Sequence, residues 1–249
     1  MERVKHPQKL GDRLGAPDTH DLSFVVLFEG WIEDLERFYA SAQAHLGTHD
    51  WELVVVDNPV DDQASERIAS MERVMHIPLR EPVGYGAGRN LGLRLSTGRV
   101  VCVIDTSVEM TGDVATPLYS SLADPSVGLV GRWGVSTDHG FQFEESGGPD
   151  VDGVEAYLMA LRRADLQKTG LFHAKFKWYR NADLDFSFQV RAAGLRTIVD
   201  DSLPVERRVH RLWEATPEPQ REELSRKNFF RFRDHWAERP DLLVSPEAR

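Results

Sequence analysis

Residues 84–105, GYGAGRNLGLRLSTGRVVCVID, decide the fold prediction, because they join a glycine-rich turn, a helix and a buried strand. Leu91 and Leu95 stand four residues apart, as on one face of a helix, and Gly98 ends that helix. Residues 100–104 are all apolar, which is typical of a strand that is covered on both faces. The stretch therefore predicts a helix that leads directly into a buried strand.

Upstream residues extend the same pattern. Residues 22–28 and 51–57 are apolar runs that predict strands, and between them apolar residues recur at helical spacing over 31–46. A more polar helix over 61–73 and a short strand over 75–79 complete the alternation. Alternating strands and helices are the signature of parallel βαβ units. The sequence therefore predicts an α/β fold with a Rossmann-like, mostly parallel central sheet, flanked by helices on both faces.

The second half of the chain predicts a less regular set of elements. They are a strand over 129–136, a loop rich in glycine and acids over 138–153, a buried strand over 155–163, a helix over 182–193, a strand over 195–199 and a long C-terminal amphipathic helix over 219–239. The sequence has no internal repeat and no low-complexity tract.

The composition excludes several classes of protein. The chain has 249 residues, of which 41% are hydrophobic and 28% charged, and a formal net charge of −10. These values suit one α/β domain, or at most two small ones, and the acidic balance argues against a general nucleic-acid binder, which carries a basic surface. The single cysteine, Cys102, lies in an apolar run and is expected in the core. Because the sequence lacks a secretory leader and an apolar run near the ~20 residues that span a bilayer, we expect a soluble, cytoplasmic protein.

Two predicted strands end in aspartate, at Asp57 and Asp105. One such aspartate is more often a helix cap, but two on neighbouring strands favour a shared polar site at the carboxyl edge of the sheet. The glycine-rich turn over 84–92 offers backbone amides and Arg89 to a phosphate. Asn90 replaces the closing glycine of a G-x-G-x-x-G fingerprint, and no Walker lysine follows. The turn alone therefore fits a phosphate site and an ordinary flexible turn equally well.

Three segments together resemble the family 2 glycosyltransferases, which are inverting nucleotide-sugar transferases with the GT-A fold. They are WELVVVDN at 51–58, GYGAGRNLGLRLSTGRVVCVIDTS at 84–107 and LFHAKFKWYRNADLDFSFQVRAAGLRT at 171–197. The resemblance implies a GT-A domain over 21–210, with a nucleotide-binding half to about residue 110 and an acceptor half over 111–210. A flexible extension over 1–20 precedes it, and a helical tail over 211–249 follows.

The resemblance also implies how a donor is held. Asp57 would accept hydrogen bonds from the base or ribose, and Asp62 would be a second acid of the same turn. Asp105 would be the first aspartate of the D-x-D motif, which meets the ribose and a metal-bound pyrophosphate. Arg89 would assist with phosphate, and His210 would reach the metal or the diphosphate. The implied cofactor is a divalent cation, Mn²⁺ or Mg²⁺, with Asp105 and His210 as its protein ligands.

Asp183 matches the aspartate that the family uses as its general base. A sugar or alcohol hydroxyl is a poor nucleophile at neutral pH, and a carboxylate that removes its proton during attack contributes about 10²–10⁴-fold in rate. The implied reaction moves a sugar, from a UDP-linked donor in preference to GDP or TDP, to an acceptor hydroxyl with inversion. The acceptor is left open between a saccharide, a lipid-linked molecule and a small molecule.

Several positions depart from the family pattern. Ser107 stands in place of the second aspartate of D-x-D, and a hydroxyl is a poorer ligand than a carboxylate, although Glu109 is near enough in sequence to substitute. Ala182 replaces a glutamate before Asp183, and Gln189 replaces an arginine later in that helix. Two alternatives stay open, the first because of Ser107 and Ala182 and the second, weaker one because nucleotidyl transfer uses a similar α/β sheet with metal-bound phosphates. One is a non-catalytic binding or scaffold domain on a degenerate GT-A fold, and the other is a nucleotidyltransferase.

The C-terminal helix allows a membrane interpretation. Residues 220–239 combine aromatic residues with six basic and four acidic ones. The excess of basic over acidic residues is small compared with the clusters of about 4–8 basic residues that bind anionic lipid. Packing onto the domain, or a homodimer through this helix, is therefore the preferred prediction, and a peripheral contact with the inner membrane face is the alternative.

Overall fold

The first half of the chain forms the parallel part of the central sheet. The computed structural model describes residues 3–59, 61–139 and 142–245, so residues 1–2 of the predicted extension and 246–249 of the predicted tail lie outside the described residues. The strands are β1 (His20–Phe28), β2 (Trp51–Asp57), β3 (Val74–Pro78) and β4 (Gly98–Ile104), and the helices between them are α1 (Ile32–His45), α2 (Asp62–Ala69) and α3 (Tyr85–Leu95). Each helix returns the chain for another parallel strand, as predicted.

The second half contributes three strands to the same sheet and two small sheets beside it. Its strands are β5 (Val108–Met110), β6 (Val127–Gly131), β7 (Gly134–Ser136), β8 (Glu144–Ser146), β9 (Gly153–Val154), β10 (Leu158–Arg162), β11 (Arg196–Val199) and β12 (Val205–Arg207). Its helices are α4 (Ala115–Ser121), α5 (Leu166–Thr169), α6 (Ala182–Ala192), α7 (Arg211–Ala215) and α8 (Glu218–Trp236). The central sheet has the order β11-β6-β10-β4-β1-β2-β3 within the described residues.

The sheet is mostly parallel, with β10 as the exception. This strand runs antiparallel to both β4 and β6. The strand predicted over 129–136 is in fact two strands, because β6 ends at Gly131 and β7 joins the small sheet with β8 and β9. The loop predicted over 138–153 contains β8. An apolar run predicts burial, but it contains no signal for the direction of pairing.

Helices cover both faces of the sheet, which explains the continuous apolar strands. In β1, Phe24, Val26 and Phe28 belong to one core cluster. The alternating residues Val25 and Leu27 belong to the cluster on the opposite face. Successive strand residues point to opposite faces, so a strand buried on both sides has no polar face to show in its sequence.

The glycines of α3 allow close packing of this helix on β1. A Cβ atom at Gly88 would collide with the side chain of Leu27, and one at Gly92 would collide with Val25. Near the start of the helix, a Cβ atom at Gly86 would meet the carbonyl oxygen of His173. The glycine-rich stretch therefore serves helix–sheet packing at these positions.

The described residues before β1 contact the rest of the domain. Val4 forms a parallel β-bridge with Leu79. The buried guanidinium of Arg163 donates to the carbonyl oxygens of Arg13 and Ala16 and forms an ion pair with Asp18. Residues 4–18 thus contact the chain just after β3 and the residue that follows β10.

Helix α8 packs on the domain. The Nδ2 of Asn228 donates to the carbonyl oxygens of Trp178 and Arg180, at 2.7 and 2.8 Å, and Phe232 stacks edge-to-face on Phe188. In the part of the chain that the structure describes, no helix is apolar and long enough to cross a membrane.

Candidate active site

A cleft of about 620 Å³ opens beyond the carboxyl end of β4. Its walls come from the turn before β10, the start of α6, the segment before α7 and one face of α8. The lining residues are Tyr85, Asp105, Val135, Phe143, Glu145, Glu155, Ala156, Tyr157, Tyr179, Arg180, Asn181, Asp183, Leu184, His210, Ser225, Arg226 and Phe229. A smaller cavity adjoins it and shares Tyr85, Asp105, Tyr179 and His210. The structure thus brings three of the predicted site residues, Asp105, Asp183 and His210, to one cleft.

Asp183 lies in the first turn of α6, two residues after Asn181, whose backbone is left-handed with φ of 63°. Its Oδ2 accepts the backbone N–H of Ala156 at 3.2 Å, and its Oδ1 accepts that of Leu184 at 3.0 Å. Burial raises the pKa of Asp183 above its ordinary value, and the two backbone N–H donors offset part of that rise. The result is an oriented carboxylate with increased basicity.

Asp105 follows β4 and is held by Ser107. The backbone N–H and the Oγ of Ser107 both donate to Oδ1 of Asp105, at 2.8 and 2.6 Å. Burial acts to raise the pKa of Asp105, but hydrogen bonds from His210 and Ser107 and the nearby positive charges outweigh it and lower this pKa to about 2. Ser107 therefore braces the carboxylate through one oxygen and leaves Oδ2 for another partner.

That partner is His210, whose Nε2 lies 3.5 Å from Oδ2 of Asp105. The Nδ1 of the same ring accepts the backbone N–H of Trp213 and caps α7. Burial acts to lower the pKa of His210, but the interaction with Asp105 outweighs it and the pKa is raised. Because Nδ1 accepts a hydrogen bond, a neutral ring carries its proton on Nε2, where it faces Asp105.

The Asp105 and His210 pair fits a divalent cation as a two-ligand site. One carboxylate oxygen and one imidazole nitrogen are suitable for Mn²⁺, which accepts both donor types and leaves further positions to water and phosphate. Binding through Nε2 requires the ring proton to move to Nδ1. The N–H of Trp213 then retains a partner, because it also donates to the carbonyl oxygen of His210 at 3.0 Å.

Glu155 is a site residue that the sequence analysis missed. It lines the cleft in the turn before β10, and its carboxylate lies 3.1 Å from the guanidinium of Arg207. Burial and, next, the negative charge of Asp183 raise the pKa of Glu155 to about 7. The sequence analysis placed Glu155 in a strand over 155–163, because the apolar pattern does not distinguish the turn from β10, which begins at Leu158.

Aromatic side chains form the wall between the two cavities. Tyr179 packs against the ring of His210 with the ring centres 4.6 Å apart and the planes tilted by 38°, and Tyr157 meets the same ring edge-on at 6.1 Å. Tyr85 is buried behind them, and burial raises its pKa to about 12. Aromatic faces of this kind are apolar and rigid, as binding clefts require. No local motif marked these residues in the sequence.

Arg89 lies below the cleft. It is 2% exposed, and its guanidinium donates to the carbonyl oxygens of Val25 and Ile104, both at 2.9 Å. We expected this side chain to meet phosphate directly, whereas the structure buries it between β1 and β4. Its charge still reaches the site, since it contributes to the lowered pKa of Asp105 and opposes the burial that raises the pKa of Glu29.

Asp57 is the last residue of β2 and Asp62 is the first residue of α2, and neither belongs to the side chains that line the two cavities. Asp57 is fully buried, and its Oδ2 accepts hydrogen bonds from Ser65 and from His76, the latter at 3.0 Å. Asp62 is exposed and forms an ion pair with Arg3 at 2.9 Å. The structure therefore separates these two predicted donor contacts from Asp105.

Comparisons with known proteins agree with this architecture. The structure of GalNAc-T7 with UDP, GalNAc and Mn²⁺ matches with a TM-score of 0.71 at 15% identity, over 89% of this chain and 49% of that one. The mannosyltransferase PcManGT from Pyrobaculum calidifontis, in complex with GDP-Man and Mn²⁺, matches with 0.58 at 20% identity, over 93% and 76%. TarS 1–349 of S. aureus matches with 0.58 at 14% identity, over 87% and 72%. The chain thus spans about half the length of the GalNAc-T7 chain.

These likenesses show the GT-A fold, as predicted from the sequence. A comparison with curated proteins finds no match. The sequence model described as glycosyl transferase family 2 matches residues 24–187, which is more than half of the 249 residues. The chain therefore belongs to glycosyl transferase family 2.

Proposed function

We propose that the protein transfers a sugar from a nucleoside-diphosphate donor, with a UDP-sugar as the first candidate, to an acceptor hydroxyl with inversion. The observation that supports this best is the pair Asp105 and Asp183 in one cleft, because their environments shift their pKa values in opposite directions. Two carboxyls that differ in this way suit two different tasks, one electrostatic and one proton-accepting.

In the proposed reaction, Asp183 accepts the proton of the acceptor hydroxyl while that oxygen attacks the anomeric carbon. The new carbon–oxygen bond forms as the bond to the diphosphate oxygen breaks, and the nucleoside diphosphate leaves with the bonding electron pair. Attack opposite to the leaving group inverts the anomeric centre. The hydrogen bonds to Ala156 and Leu184 hold the carboxylate in place for this step.

Asp105 and His210 are proposed to hold the leaving diphosphate end of the donor. The residues that would bind a divalent cation there are Asp105 through Oδ2 and His210 through Nε2. Such a cation, when bound, neutralises the negative charge that develops on the diphosphate. Ser107 donates two hydrogen bonds to Oδ1 of Asp105, and this leaves Oδ2 facing His210.

The base and ribose end of the donor is proposed to reach Asp57. Its Oδ1 is buried and has no hydrogen-bond partner within the described ranges 3–59, 61–139 and 142–245. A buried acceptor without a donor is costly, by about 1–3 kcal/mol. A base or ribose donor group would satisfy it. Asp62 remains a second proposed contact, which a donor reaches by displacing the exposed end of Arg3.

The experiment is a panel of UDP-, GDP- and TDP-sugars with and without Mn²⁺, read by donor binding and by nucleotide release in the presence of candidate acceptors. Asp183→Asn is expected to abolish transfer while donor binding remains. Asp201→Asn, at an exposed position, is the matched control. Full turnover by Asp183→Asn contradicts the assignment. Donor binding by the wild-type protein without transfer from any donor favours the binding-domain alternative.

A further inference from the structure

A second cluster of ligand side chains lies away from the cleft walls. It consists of His173 in the loop after α5, Asp185 in α6 and His235 near the end of α8. We propose that these three residues bind a divalent transition-metal ion of the zinc class, and that this ion fastens α8 to the domain. The proposal does not depend on the proposed transfer activity.

The three side chains converge from separate parts of the chain. Nδ1 of His173 lies 2.6 Å from Oδ2 of Asp185, and Nδ1 of His235 lies 3.0 Å from Oδ1. The two imidazole ring centres are 4.7 Å apart. One ligand atom from each residue falls within 4.8 Å of the others. Small side-chain adjustments therefore suffice to place all three atoms around one ion.

The chemistry of the donor set selects the type of ion. Two imidazoles and one carboxylate favour zinc, nickel or cobalt over magnesium and calcium, which prefer oxygen ligands alone. Three protein ligands leave a fourth position to water in tetrahedral zinc geometry. Both imidazoles are half exposed, with side-chain exposures of 43% and 40%. An ion can therefore enter from solvent.

The carboxylate of Asp185 is supported from behind, as metal ligands usually are. Nε2 of Gln189 donates to Oδ2 at 3.1 Å, and Nε1 of Trp236 donates to Oδ1 at 2.9 Å. The Asp185 side chain is 1% exposed, and within the described residues its ion pairs are with His173 and His235. A bound divalent cation would place positive charge next to this buried carboxylate and so offset the cost of burying its negative charge.

Bound metal would join three elements that are distant in sequence. His173 precedes α6, Asp185 belongs to α6, and His235 lies in the last turn of α8. The cleft wall provided by α8 would then be anchored at its far end. Hydrogen bonds alone are the competing explanation of the same geometry, and metal binding distinguishes the two.

The test uses the full chain without a polyhistidine tag, freed of metal with a chelator and titrated with Co²⁺, followed by competition with Zn²⁺. Because the Asp105 and His210 pair in the cleft can also take a divalent ion, the titration is repeated on Asp105→Asn, where we expect one equivalent of Co²⁺ per chain, with visible absorption bands that Zn²⁺ abolishes. His173→Gln and His235→Gln should each weaken Co²⁺ binding at least about tenfold, because each removes a ligand. His45→Gln, at an exposed helical position, is the matched control.

Two further variants separate this site from the cleft. Gln189→Leu removes a support of Asp185 and should weaken Co²⁺ binding by about 10–100-fold. Asp105→Asn removes a ligand of the cleft pair and should leave the affinity of the His173, Asp185 and His235 site for Co²⁺ unchanged. Far-ultraviolet circular dichroism of each metal-free variant checks that the chain is folded. The proposal is overturned if the folded wild-type chain binds no stoichiometric Co²⁺, or if the double variant His173→Gln, His235→Gln binds it as tightly as the wild type.

Discussion

His210 and Asp105 face each other across the junction of two cavities, with Nε2 and Oδ2 3.5 Å apart. The pKa of the carboxyl is lowered to about 2 and the pKa of the imidazole is raised. Each group thus stabilises the charged form of the other.

This pairing predicts a pH dependence of stability. The folded pKa of Asp105 lies below the value of about 3.9 for an unfolded chain, so its ionised form adds stability above pH 4 that is lost as the pH falls towards 2. The difference in the free energy of unfolding between the wild type and Asp105→Asn should shrink by about 2 kcal/mol over that interval. Urea unfolding at a series of pH values measures it. A difference independent of pH contradicts the prediction.

Glu155 and Asp183 are expected to titrate as interacting groups. The charge of Asp183 is the second cause, after burial, of the raised pKa of about 7 at Glu155. Asp183→Asn should therefore lower the pKa of Glu155, since a neutral amide does not oppose its ionisation. Carbon-13 NMR of the glutamate carboxyls follows the titration directly. Asp201→Asn serves as the control, and an unchanged titration near pH 7 in the Asp183 variant argues against the coupling.

Arg89→Met should affect both stability and the site. The change removes a donor from the carbonyl oxygens of Val25 and Ile104 in the core, so we expect a loss of about 1–3 kcal/mol in the free energy of unfolding. It also removes the charge that opposes the raised pKa of Glu29, which should rise further. Urea unfolding and carboxyl NMR test the two effects. Equal stability of variant and wild type would rule out the first.

Gly88→Ala tests the close contact between α3 and β1. The added methyl group collides with the side chain of Leu27, and overpacking of this kind costs about 1–3 kcal/mol. Gly147→Ala is the control, because a Cβ atom there meets nothing within 4 Å. Thermal unfolding compares the two variants. If both variants unfold at the wild-type temperature, the contact is less restrictive than the structure indicates.

Asp57→Ala is expected to weaken nucleotide binding while the chemical step is retained. The variant removes the buried Oδ1 that a base or ribose donor would satisfy, so the donor KM should rise about tenfold or more with a smaller change in kcat. Isothermal titration with nucleoside diphosphates gives the same comparison without an acceptor. Glu66→Ala, at an exposed position of α2, is the control. Unaltered nucleotide affinity excludes Asp57 from the donor site.

The sequence predicts the parallel half of the fold well, because its signals are local. Continuous apolar strands and helical spacing between them specify β1, β2 and β4 with their helices. The motif positions likewise place Asp105, Asp183 and His210 in one cleft. The direction of β10 escapes such reasoning, since antiparallel pairing depends on residues distant in the chain.

The remaining differences also come from long-range contacts. The burial of Arg89 depends on the carbonyl groups of two strands, and the separation of Asp57 depends on Ser65, His76 and Arg3. The raised pKa of Glu155 comes from burial and, next, from the charge of Asp183, 28 positions later in the sequence. A local pattern carries none of this information.

The hydrogen bonds from Asn228 to Trp178 and Arg180 make α8 part of the cleft, although the family match ends at residue 187. A domain cut at that boundary would lose His210 and the wall formed by Ser225, Arg226 and Phe229. The segment that builds the cleft therefore extends beyond the segment that the family model matches. Since α8 lies outside the sheet, substitutions on its cleft-facing side can change the shape of the cleft while the strands keep their packing. Under the proposed function, the choice of acceptor could then change during evolution without a loss of stability in the sheet.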